Sequence, residues 1–225
     1  MGPVIRRTLG ELHNQFELYD PQYTIFRGVS SIDHKLITTL GRLVLKDGDT
    51  HNKVEKRILK TFRERALPFI TTMPNNNWEW LALAQHHGLP TRLLYWTRNP
   101  LVAAYFSVKK DTNESSAIYI LNQQNQKLVN VEKDLEPTKM IGEPKRYIPS
   151  HVTERIIVQN GLFTFHPGDP RKAFDNDDIE TIVIPADARK RLKRDLYRYG
   201  VHEASLFPSL DGLASHVKWM NDKSH

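Results

Sequence analysis

Apolar positions recur along the chain in two periods, helical and alternating, and the switches between them mark out the elements. Leu9, Leu12 and Phe16 stand at helical spacing, so residues 1–20 are predicted as an amphipathic helix. YTIFRGVSS, residues 23–31, is β-rich and ends past a glycine, which predicts a strand running into a loop. Within 50–70, Val54, Ile58, Leu59 and Phe62 fit one face of a basic helix that Pro68 and Pro74 close. NNNWEWLALAQHHG, residues 75–88, predicts a helix from its ends as well as its interior. Asn76 suits the N-cap, Glu79 stands three residues later as in a capping box, and Gly88 suits the position beyond the last turn. Pro90 cannot continue that helix. TRLLYWT, residues 91–97, then alternates, with Thr91, Leu93, Tyr95 and Thr97 on one face and Arg92, Leu94 and Trp96 on the other. Asn99 before Pro100 is an N-cap and first-turn pair, so PLVAAYFSV starts another helix at once.

SSAIYIL, residues 115–121, predicts a further strand, and the polar, proline-punctuated stretch 122–150 a loop with short pieces of structure. RIIVQNGLFTFHP (155–167) and IETIVIP (179–185) are strand-like, with a charged loop between them. A basic helix runs from about Asp187 to Tyr199 and ends at Gly200. A short extended piece follows, and Ser209 caps a last helix whose Leu210, Leu213 and Val217 are expected to face inward. Strands and helices interleave without regular βαβ spacing. The expected class is therefore α+β, a single domain with a mixed or antiparallel sheet core flanked by helices.

Composition narrows the chemistry. The chain has 225 residues and no cysteine, so disulfides, thiol nucleophiles and cysteine zinc sites are excluded, and a reducing compartment fits. No run approaches the ~20 apolar residues of a membrane span and the N-terminus has no signal-peptide core, so a cytoplasmic protein with no membrane partner is expected. The net charge of +6 favours a nucleotide or other polyanion as partner. Its basic residues cluster in 51–65 and 188–198, both of helical pattern. The ordinary reading of such runs is a solvated helix face, and the alternative is a nucleic-acid surface.

The strings YTIFRG, WEWLALAQHHGLPTRLLYWTRNPLVAAYFSV, RIIVQNGLFTFHP and GVHEASLFPSLDGLA, in this order, resemble the FRG domain family, named for its (F/Y)RG motif. The resemblance spans roughly residues 23 to 215. It implies a single FRG domain over 1–225, with 1–22 an N-terminal helix, 23–215 the core and 216–225 the end of a C-terminal helix. The family typically has Asp in the Leu-Leu-Asp-Trp-Thr string where this chain has Tyr95, and often Asp where it has Ser209.

A second, weaker resemblance is to ADP-ribosyltransferases that split NAD. Their motif order is an Arg-Gly ending a first strand, a Ser/Thr strand followed by a helix with small residues and an aromatic, and a late Glu. Arg27-Gly28, Thr91 to Thr97 with Ala103, Ala104 and Phe106, and Glu203 stand in that order. It implies an ADP-ribosyltransferase-like fold and an NAD-dependent transferase, by analogy a bacterial toxin or antiviral effector. The alternative is a degenerate, non-catalytic module that binds a nucleotide, nucleic acid or protein.

Each position has a physical rationale. Cleaving the nicotinamide glycosidic bond builds positive charge on the ribose, which a carboxylate stabilises, and Glu203 is the candidate. Arg27 offers a planar fork for phosphate, and Gly28 admits close backbone approach. His87, Thr91, Arg92, Tyr95 and Thr97 complete the expected NAD-binding set, with Tyr95 facing the cleft and lowering turnover. Arg27 as a turn residue and Glu203 as a solvated charge are the ordinary readings. His86 and His87 close a helix, where imidazolium meets the negative end of the dipole. Adjacent histidines on a helix point about 100° apart, so no shared metal is expected. A metal-independent nuclease using His87 and the basic residues is a third class.

Overall fold

The computed structural model describes residues 2–124, 126–150 and 154–222. Val4–Ile5 (β1) pairs parallel with a strand far down the chain before the first helix, Leu9–Phe16 (α1), begins. The helix expected over 1–20 is thus shorter. Thr8 sets its start by accepting a hydrogen bond from the Glu11 amide on an extended backbone. Thr24–Val29 (β2), His51–Ala66 (α2), Asn77–His86 (α3), Leu93–Thr97 (β3), Pro100–Val108 (α4) and Ser116–Asn122 (β4) follow as the pattern predicts. Asn76 accepts from the amides of Trp78 and Glu79, and Asn99 from that of Leu101, so both predicted caps are made.

Further on come Lys145–Tyr147 (β5), Glu154–Val158 (α5), Gly161–Phe165 (β6), Ile179–Ile184 (β7), Arg189–Arg198 (α6), Glu203–Leu206 (α7) and Leu210–Met220 (α8). Three expectations fail here. The β-branched string at 155–158 is a helical turn, α5, because Ile156 docks in the core while Ile157 stays 64 % exposed; Asn160, at φ 47°, then turns the chain into β6. The piece after Gly200 is not extended, since His202 and Ser205 cap α7 reciprocally. On α8, Leu210, Leu213 and Val217 face outward, Leu210 at 84 % exposure, while Gly212 and His216 are buried. A Cβ at Gly212 would collide with the Phe207 carbonyl oxygen, so that close approach turns the glycine face inward and the leucines out.

The seven strands form one mixed sheet in the order β1-β7-β4-β2-β3-β6-β5, antiparallel except for β1 with β7. Its ladders are uneven. β2 pairs with β4 over six residues and β3 with β6 over five, whereas β2 meets β3 only where Phe26 faces Thr97. One face of the sheet carries two apolar clusters side by side. Leu12, Phe26, Val102, Ile118, Ile182 and Leu192 hold α1, α4 and α6 to the first half. Leu59, Trp78, Leu81, Ile156, Phe163 and Phe165 hold α2, α3 and α5 to the second. The opposite face buries Ile25, Leu36, Leu94, Trp96, Leu162 and Phe174. The seam between the two helix groups lies over the weak junction of β2 with β3.

Candidate functional site

Past Phe26 and Thr97 the two strands part, and a cavity of about 240 Å³ lies over the gap. Arg27 closes the gap from within. In strand alternation it takes the face opposite Gly28, shared with its ladder partner Tyr119. Its Nη1 donates to the Tyr95 carbonyl oxygen at 2.6 Å, replacing the ladder bond the strands no longer make. The Arg27 Nε is buried without a hydrogen-bond partner. Burial lowers the guanidinium pKa to about 10, the charge of Arg42 adding to the effect, so the group remains a cation at neutral pH.

Gly28 and Tyr95 bound the cavity on the helix side of the sheet. A Cβ at Gly28 would meet the Ala103 carbonyl oxygen and, at 2.6 Å, the Ser107 amide, so the glycine is what lets α4 lie directly on β2. Tyr95 projects into the cavity as its face of β3 predicts, with its ring 5.4 Å from that of Phe163 and its hydroxyl donating to Gln159 Oε1 at 2.8 Å. Burial raises its pKa, so it is neutral and donating. Gln159 is 1 % exposed and ties three segments together: it accepts from Tyr95, its carbonyl accepts from Thr97 Oγ1 at 2.6 Å, and its Nε2 donates to Leu206 O at 2.8 Å.

Other walls come from residues outside the expected binding set: Gln85 and His86 at the end of α3, Phe106 on α4, and Arg155 and Ile156 on α5. His86 is pushed down to about pKa 4, by burial first and then by the charges of Arg155 and His87, so it is a neutral imidazole at pH 7. Burial also lowers Arg155, with Tyr95 and Glu203 opposing. The cavity thus offers the Arg155 guanidinium, a neutral imidazole, an amide and four aromatic rings over a floor that includes Arg27, with no carboxylate among its described lining residues.

Of the expected set, Arg27, Gly28, Tyr95 and Thr97 meet at this cavity, and His87, Thr91, Arg92 and Glu203 do not. His87 caps α3 and is exposed; its neighbour His86 faces in, as the 100° turn between them requires. Thr91 is fully buried, its hydroxyl donating to Gln85 Oε1 and accepting from the Leu93 amide at 3.1 Å. Arg92, 1 % exposed, is paired with Glu55 through Nε at 2.8 Å and Nη2 at 2.6 Å, and with Asn52 Oδ1 at 2.9 Å. Glu203 opens α7 and lines a neighbouring cavity of about 230 Å³, where Tyr105 donates to one of its oxygens and Lys109 Nζ to the other at 2.9 Å. Arg155 had no sequence signal, lying in a string read as strand, whereas the paired histidines signalled His86 without saying which of the two turns inward.

The FRG domain family model matches residues 22–116. That span holds both strands of the gap and helices α2, α3 and α4, while the strings around β6 and α7 lie beyond it. No curated protein and no solved structure matches the chain. YTIFRG on β2 and QHHGLPTRLL leading into β3 both lie inside the matched residues, so residues 22–116 are what is similar to the FRG domain family.

Proposed function

We propose that the cavity between β2 and β3 binds one end of a nucleotide of the NAD class, and that this chain is a binding module with little or no turnover. What carries the reading is the lining: the Arg155 guanidinium, with Arg27 in the floor at the sheet gap, beside the rings of Phe106, Tyr95 and Phe163, without a carboxylate among the described lining residues. Guanidinium forks suit phosphate, and aromatic faces suit a base or a nicotinamide ring. At about 240 Å³ the cavity falls below the roughly 300–1,000 Å³ of sites for drug-sized ligands, so it fits a ring with its sugar and not a whole dinucleotide.

A second reading, an NAD-dependent ADP-ribosyltransferase of the corresponding fold, has one specific observation in its favour. Glu203 is close enough to Arg155, a residue of the cavity wall, for its charge to oppose in part the lowering of the Arg155 pKa by burial. Against it, both Glu203 oxygens are engaged by Tyr105 and Lys109, and Tyr95 stands where the resemblance expects Asp.

Calorimetric titration with NAD and with AMP, run beside a nicotinamide-release assay, separates the two. The expected result is saturable binding that Arg155→Ala weakens at least tenfold, with release at the level of the blank. Tyr95→Asp would set a carboxylate within reach of the Arg155 charge and raise affinity or release, and Glu203→Gln in that background would remove any gain in release. Absence of saturable binding to either nucleotide overturns the binding reading. Release by the parent chain that Glu203→Gln abolishes gives the site to the transferase.

A further inference from the structure

Phe207, which closes α7, lies between residues that line two separate cavities. Lys109 Nζ lies 3.8 Å from its ring centroid and Arg155 Cζ 4.4 Å. Those two cations belong to different cavities, Lys109 to the one that holds Glu203 and Arg155 to the one at the sheet gap. Neighbours on α4 divide the same way: Tyr105 lines the Glu203 cavity and Phe106 the gap cavity, and the Phe106 ring meets that of Phe207 edge-on at 6.0 Å. A ring covered by two cations is held by its quadrupole on both approaches.

We infer that Phe207 is the partition between two halves of one ligand site, and that it sets the size of ligand the site takes. With the ring in place each half admits one nucleoside unit; with it gone the halves join into a cleft within the range of sites for larger ligands. The chemistry of the second half suits the other end of a dinucleotide. Lys109 and Lys193 supply ammonium donors, and the imidazoles of His202 and His216, stacked at 4.1 Å, present a flat wall next to Trp219. Glu203 lies on that side of the partition, so a two-unit ligand would bridge Arg27 and Glu203 where a one-unit ligand cannot. This inference rests on the nucleotide reading of the gap cavity.

The test is the Phe207→Ala variant, examined by crystallography and by titration with NAD and with AMP. The expected outcome is one continuous cavity from Arg27 to Glu203, and a ratio of NAD to AMP affinity that rises at least tenfold over the parent. Should that variant fail to fold, Phe207→Leu keeps apolar packing while removing the ring that the cations cover, and the same two readouts apply. A wall that persists after the ring is removed overturns the partition. AMP binding with an unmoved ratio overturns the size selection and leaves the nucleotide reading standing, whereas no binding of either nucleotide to parent or variant overturns both.

Discussion

The run into and along β3 carries similar letters at its two ends, Thr91 and Arg92 just before the strand and Tyr95 and Thr97 within it, and the fold treats them oppositely. At the first end every polar group is turned inward and answered: Thr91 by Gln85, Arg92 by Glu55 and Asn52, and the Arg92 carbonyl by the His166 amide at 3.0 Å. At the second end β2 keeps only the pairing of Phe26 with Thr97, Arg27 spans the gap beside it with a bond to the Tyr95 carbonyl, and the buried Arg27 Nε is left without a partner. A polar cluster is architecture when its partners saturate it, and a binding site when donors remain to be met.

The largest expected effect breaks the closed end. Glu55→Gln leaves the Arg92 guanidinium buried without its counter-ion, and should cost about 3–5 kcal/mol in denaturant unfolding. Replacing both partners by apolar residues, Arg92→Met with Glu55→Leu, should recover most of that loss. A loss under about 1 kcal/mol for Glu55→Gln would show that the pair is not what holds α2 to this strand. At the open end the balance reverses. Arg27→Ala removes one charged hydrogen bond, about 1.5–3 kcal/mol of stability, and should weaken nucleotide binding at least tenfold in the same titration. Equal loss of stability at both ends with unchanged affinity would erase the distinction.

A pH titration sharpens the comparison, because each end holds a neutral histidine. His86 is held near pKa 4 and His166, at the closed end, near 3, chiefly by burial in both cases. Both lie below the unfolded value of about 6.5, so the unfolded chain takes up protons first as pH falls. Stability should therefore be full above about pH 6.5 and decline below it, with the His86 contribution exhausted near pH 4 and that of His166 continuing to about 3. His86→Asn should flatten the upper part of the decline and leave the lower part. A profile unchanged by that substitution would place His86 in water.

The smallest effect concerns nucleic acid. α2 and α6 belong to different helix groups, and much of the α6 charge is already engaged. Arg189 donates to the carbonyls of Ser30, Lys110 and Glu114, and Arg191 and Arg198 flank Asp195. If RNA or DNA binds, the slope of log affinity against log salt should be no steeper than about −3, some three phosphates at about 0.9 each. A steeper slope would mean that the two helices act as one surface.

What was legible in the sequence was local. The caps at Asn76 and Asn99, the stop at Gly88 and the alternation that places Tyr95 with Thr97 depend on residues within a few positions of each other. The rest was set at long range. Glu55 answers Arg92 across 37 positions and Gln159 answers Tyr95 across 64, and no period in the chain announces either. α5 and the face of α8 were misread for a related reason: docking of Ile156, and the carbonyl of Phe207 against Gly212, outweighed β-propensity and the apolar stripe. The site itself was half legible, since Arg27, Gly28 and Tyr95 lie on strands and Arg155 and Phe207 enter from segments whose fold had first to be known.

Gly161 sits opposite Thr97 in the β3–β6 ladder, and the three atoms nearest a Cβ built there all belong to the Tyr95 ring. Its backbone is not in the left-handed region, so the ring alone forbids a side chain at that position. Tyr95 and Gly161 are therefore a single choice written in two places. A chain with the shorter Asp on β3 is released to carry Ala or Ser at 161, and the two positions should vary together among relatives. For engineering, restoring the acid without refilling the space above Gly161 would leave a hollow the size of a phenol under the cavity floor. The repair at 95 is complete only when 161 changes too.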